Sequence, residues 1–144
     1  INVNYFHCLD ENQNRDDSFE INHLSSHFHS EISYFVLNKG SATSQVNTYI
    51  SPDSPFSKSH QKLKHILLSD KAVSFSKPNL MIENPNVESS HGNTMGGFNR
   101  DNLIYLRQRG ITEEKAKNIL ATSAIENSSN TPFFSNAIKQ YFIK

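Results

Sequence analysis

The hydrophobic period of this chain changes once, and that change limits what it can fold into. As far as Gly97, apolar and polar residues alternate over short runs, as in half-buried strands. Beyond it, apolar residues recur every three to four positions, as on amphipathic helices. The joint is Ser69–Gly97, SDKAVSFSKPNLMIENPNVESSHGNTMGG, with a Lys-Pro and an Asn-Pro punctuation and then His91 followed by Gly92. The expected class is mainly β with a C-terminal α part, divided into 1–98 and 99–144.

Strands are expected at Ile1–Cys8, Phe19–Leu24, Ile32–Leu37, Ser41–Ile50, Leu63–Leu68, Ala72–Phe75, Leu80–Glu83 and Asn86–Ser89. Asp10–Ser18 is polar and charged, and Ser51–Lys58 holds two prolines, so both read as loops; Lys39-Gly40 reads as a turn. No Asn-Gly pair marks a hairpin. Short strands at this spacing fit a sandwich or a barrel. They fit a parallel β-helix equally well, since its coils stack at ~4.8 Å and tolerate polar, Asn-rich corners.

The helical part is more sharply drawn. Asn99 or Asp101 caps a helix running through Arg109, with Gly110 as the stop. Thr112, Glu113 and Glu114 open a second helix, placing carboxylates at the positive end of its dipole. Its expected apolar face is Ala116, Ile119, Leu120 and Ala124. After a polar linker at Glu126–Asn130, Thr131-Pro132 starts a third helix presenting Phe134, Ala137, Ile138, Tyr141 and Phe142.

At 144 residues a single domain is the default. The 14 basic residues balance the 14 acidic ones, so no global field draws the chain to nucleic acid or to an anionic membrane. No apolar run approaches the roughly 20 residues of a membrane span. The lone cysteine, Cys8, excludes an internal disulfide and a multi-cysteine metal knuckle. The start at Ile1 suggests a soluble fragment of a longer polypeptide.

His23, His27 and His29 suggest metal ligands, since His27 and His29 would share one face of a strand. Further ligands are lacking, so a structural or solvated role is expected. Met95–Gly97 lacks the spacing and the lysine of a phosphate loop. Cys8 reads as a buried small apolar group. His91 lies between Ser89, Ser90 and Gly92, and Gly92 would let main chain approach another group. Neutral imidazole binds iron or zinc, and one ligand from each of two chains could build a shared site. On chemistry alone, a turn histidine bonded to nearby backbone is the better reading of His91.

Three stretches carry a resemblance. Ile66–Leu80 (ILLSDKAVSFSKPNL), Glu88–Thr94 (ESSHGNT) and Leu103–Lys115 (LIYLRQRGITEEK) together resemble the C-terminal part of SufD, in the SufB/SufD family of scaffolds of the SufBCD iron–sulfur cluster assembly complex. The family pattern is LLLSD, a KPxLxI strand, a C-S/T-H-G-A-T loop and a helix reading FYLRSRGI. Upstream, Ile21–His27 is similar to the family's VDH…H stretch, and Gln61 falls on a recurrent glutamine. Gly92 favours SufD over SufB, which usually has Glu there. The sequence departs at Ser89, where the family has cysteine, at Asn93, where it has alanine, and at Leu63 and His65, where Asn is common.

The resemblance implies the end of a right-handed parallel β-helix followed by a small helical subdomain. It implies a non-enzymatic scaffold that pairs with a SufB-like subunit and docks a SufC-like ATPase through 99–144. His91 would stand at the cluster-assembly interface, as a metal ligand shared with the partner subunit. No cofactor would be held stably; an iron–sulfur cluster would be held transiently at the partner interface. A β-helix lyase or acyltransferase would need a charged face or hexapeptide repeat, and neither is present. A stand-alone interaction module would be a closed monomer, whereas an open β-helix edge favours self-association. The Asn-, Ser- and Lys-rich loops suggest an organellar setting of plastid or apicoplast type, or the cytoplasm if the source is bacterial.

Overall fold

Every described strand pairs in parallel with a strand two places away along the chain, so no hairpin occurs among the described residues. The computed structural model describes residues 1–126. Seven strands, β1 (Asn2–Leu9), β2 (Asn14–His23), β3 (His29–Asn38), β4 (Ser41–Ile50), β5 (Lys58–Leu67), β6 (Val73–Ile82) and β7 (Glu88–Gly96), precede helices α1 (Arg100–Gln108) and α2 (Glu113–Glu126). One sheet has the order β1-β3-β5-β7 and the other β2-β4-β6. Asn2 pairs with Glu31, His29 with Lys58 and Lys58 with Glu88, so in the first sheet the chain returns to the same column every 29 or 30 residues, and in the second after 27 and then 32. The result is a parallel β-solenoid of about three turns followed by two helices.

Alternation within each strand sends side chains into the lumen or outward. In β4, Ala42, Ser44, Val46, Thr48 and Ile50 are buried while the residues between them are half-exposed. The lumen packs Leu9, Ile32, Tyr34, Val36, Ala42, Val46 and Leu63. A second cluster lies outside the first sheet, where Phe35, Leu37, Ile66 and Leu68 meet Ala121 of α2. Strand β3 is therefore buried on both faces, which is why its sequence, ISYFVL, runs apolar almost without a break.

The corners stack as regularly as the strands. Lys39 N–H donates to the Leu9 carbonyl, Leu68 N–H to Asn38, and Val73 N–H to Gly40, at 2.8–2.9 Å. Asn38, fully buried, donates to the Val73 carbonyl and Ser74 Oγ and accepts from Gly40 N–H. A carboxamide, which both donates and accepts, thus stitches one coil to the next, consistent with Asn-rich corners.

Several expectations need correction. Asn14–Ser18, read as loop, is the first half of β2, where backbone pairing to β4 carries a charged sequence. Its buried member, Asp17, accepts from Arg15 at 2.8 Å and from Tyr34 at 2.7 Å. Burial alone would raise the Asp17 carboxyl, but these bonds more than offset it and hold it below the usual carboxylate range. Ala72–Phe75 and Leu80–Glu83, read as two strands, form one β6 that runs through Pro78. An edge strand tolerates proline because one side of its ladder is unpaired, and β6 is an edge strand.

Asn99 caps α1, accepting from Asp101 N–H, and Gly110 takes φ +82 beyond its end, both as expected. On α2 the buried residues are Ala116 and Ala121, with Ala124 partly buried against the outer cluster; Ile119 is 40% exposed and does not belong to the apolar face. The packed stripe is narrower than the periodicity indicated, with Ala121 and Ala124 the α2 residues that reach the outer cluster. The expected third helix, with Phe134, Ala137, Ile138, Tyr141 and Phe142, lies outside the described residues.

Candidate functional site

The two sheets differ by one strand, and the difference creates the site. The second sheet ends at β6, whereas the first continues to β7, which pairs only with β5 among the described residues. Register aligns Ser89 with Ser59, His91 with Gln61, Asn93 with Leu63 and His65 with Met95. Those β5 residues are all buried on the lumen side, so Ser89, His91, Asn93 and Met95 form the lumen-facing row of β7. Among the described residues no strand of the second sheet pairs beyond β6, and His91 is exposed. Ile82 and Met95, 44% and 42% exposed, place apolar surface at the same open end.

His91 therefore lies within a strand, not in the loop expected for it. It makes no side-chain hydrogen bond among the described residues, so the turn-histidine reading is not realised. Gly92 also differs from expectation. It has no left-handed φ, and a Cβ added there would meet nothing within 4 Å. Asn93 donates to the Ser76 carbonyl at 3.2 Å, tying β7 to β6. Among the described residues no group of three or more His, Cys, Asp or Glu is arranged to hold a metal. One imidazole supplies a single ligand bond, so a metal held at His91 would take its other ligands from elsewhere.

The remaining histidines are separated by the fold. His23 is buried and paired with Ser30 Oγ at 2.8 Å; burial holds its pKa below the usual histidine range. His27 sits in a turn at φ +60 and not in a strand, so it shares no strand face with His29. His29 lies edge-on to His60, ring centroids 6.0 Å apart. Cys8 packs against the outer cluster, and burial pushes its thiol up to about 12, which fits an apolar filler and not a nucleophile.

Sequence reasoning passed over the polar rows behind the site. Ser30 donates to Ser59 at 3.1 Å, and Ser89 continues that column with a buried Oγ that has no partner. Gln61, behind His91, is 2% exposed and reaches across the lumen to Thr48 Oγ1 at 2.7 Å. The recurrence of serine at 30, 59 and 89 was a readable signal of both the repeat and the column.

Comparison with known proteins gives the family. The family model described as "SUF system FeS cluster assembly, SufBD core domain" matches residues 1–124. An iron–sulfur cluster assembly SufBD family protein of Synechocystis sp. is 39% identical over 57 residues, 40% of this chain and 13% of that protein. One from Archaeoglobus fulgidus is 30% identical over 78 residues, 54% of this chain and 21% of that protein. A second Synechocystis protein of the family is 25% identical over 101 residues, 66% of this chain and 21% of its own length. The chain thus spans only about a fifth or less of the length of these relatives. With a parallel solenoid, a serine column and an SHG strand at its open end, and a family match over residues 1–124, the chain belongs to the SufBD family of SUF-system iron–sulfur cluster assembly proteins.

Proposed function

We propose that this chain is the SufD-like, non-catalytic partner in a cluster-assembly scaffold. It pairs with a SufB-like subunit through the open end of the solenoid and docks a SufC-like ATPase through its helices. The observation that carries this reading is the lumen-facing row of β7, where exposed His91 stands beside a strand edge that is unpaired among the described residues. Such an edge offers backbone N–H and C=O groups to a second chain. On α1 and α2, Ile104, Tyr105 and Ile119 are 42%, 53% and 40% exposed and supply apolar area for the ATPase. The nascent iron–sulfur cluster is cargo in this scheme, bound transiently between His91 and ligands from the partner. An organellar, plastid-type setting belongs to the same proposal.

Co-expression with SufB and SufC followed by pull-down tests it; association with neither overturns it. Within an assembled complex, His91→Ala should leave subunit association intact. It should lower iron and sulfide loading at least about tenfold, the scale of losing even a supporting contact at a metal site. Unchanged loading would remove His91 from the cluster path.

Ser89 supplies a second prediction. It shares the lumen-facing row with His91, and its hydroxyl does not ionise as a thiol does. Ser89→Cys places a soft ligand two residues from the imidazole, and iron retention on a desalting column should rise. Equal retention in both proteins would mean that this row does not meet the cluster.

A further inference from the structure

Gln61 and His91 occupy register-paired positions on β5 and β7, so their side chains leave the same face one strand spacing apart, ~4.8 Å. The Gln61 amide nitrogen is fully committed. It donates to Thr48 Oγ1 at 2.7 Å and to the Asn79 carbonyl at 3.1 Å. A backbone carbonyl only accepts, so the Asn79 contact fixes which end of the amide is nitrogen. Its oxygen, Oε1, is left buried without a hydrogen-bond partner. A buried acceptor is costly to leave unpaired. The residues flanking Gln61 in its column are Ile32 and His91, and of these only His91 carries a side-chain donor.

We propose that Gln61 is a positioning residue for His91: on rotation of the His91 ring, which as it stands makes no side-chain hydrogen bond among the described residues, Gln61 Oε1 accepts one imidazole N–H and so fixes the neutral ring in a single tautomer. The second ring nitrogen is then held as a lone pair toward the open end. Histidines that ligate metals ordinarily donate their other N–H to such an oxygen, which fixes the tautomer and orients the ring. The role in cluster binding rests on the reading of His91 given above; the hydrogen bond itself does not.

The test is the tautomer of His91, read from imidazole nitrogen shifts in ¹⁵N-histidine-labelled full-length protein at a pH well above the usual histidine range. His91→Asn identifies the resonances by difference. In the unsubstituted protein one tautomer should predominate. Gln61→Met, close in volume but without the acceptor, should lower that tautomer ratio about tenfold, the scale of one neutral hydrogen bond. Gln61→Glu, which keeps an acceptor oxygen, should preserve it. A solvent-like mixture in the unsubstituted protein overturns the proposal even if the Met variant fails to fold, and so does a ratio that Gln61→Met leaves unchanged. Iron loading of Gln61→Met separates the two readings: a lost tautomer with unchanged loading keeps the hydrogen bond and removes the cluster role.

Discussion

Gly40→Ala should destabilise this protein by about 3 kcal/mol, the upper range for forcing an extra methyl into packed structure. A Cβ at Gly40 would stand 2.3 Å from the Gln13 carbonyl oxygen and 2.6 Å from that of Asp10. Both are backbone atoms, so no side-chain rotation relieves the contact. The stacked corners must move apart instead, straining the bonds from Ser41 N–H to Gln13 and from Val73 N–H to Gly40. The melting temperature should fall by roughly 10 °C. Gly92→Ala is the matched control, because open space surrounds that position and its backbone conformation makes no demand for glycine. Equal melting points for the two variants would show that the corner is not tightly stacked.

Acidification should cost nearly as much. His65 is 1% exposed, with Nε2 paired to Ser44 Oγ at 2.8 Å and Nδ1 buried without a partner. Burial lowers its pKa from 6.5 to about 4. In the unfolded chain the ring takes up a proton as pH falls through 6.5; in the folded protein it resists until about 4. The unfolded state therefore binds more protons between those values, and stability falls as pH falls across that window. The full difference is about 3 kcal/mol, reached near pH 4 and absent above pH 7. His7 and His23, also lowered by burial, act in the same direction. Urea midpoints at neutral pH and near pH 5 measure the slope, and His65→Gln should flatten most of it. A midpoint that does not move with pH would contradict a neutral, buried His65.

The sequence disclosed this fold wherever side chains alone decide the backbone. Ser41–Ile50 alternates so regularly that its limits as a strand were legible, and the caps at Asn99 and Gly110 announced α1. Asn14–Ser18 was not legible, because its strand is held by backbone pairing and by an Arg15–Asp17–Tyr34 network assembled from two strands. Pro78 hid the continuity of β6, since only the sheet order shows that β6 is an edge strand. At the candidate site, the SHG motif singled out His91 for attention, but a motif cannot say which face of a strand a residue takes. That face, and with it Gln61 and Ser89 as neighbours, follows from register, which is a property of residues about 30 positions apart.

That repeat has a kinetic consequence. Each coil touches the next at a sequence separation of 27 to 32 residues, so every closure between paired strands is of similar length. Adding coils to such a chain lengthens it without raising the entropy of any single closing step. Folding can therefore start at whichever coil is most stable and spread by equal steps. Here the best-supplied starting point is β3 with β5, the pair that owns apolar residues on both faces and on which α2 later closes.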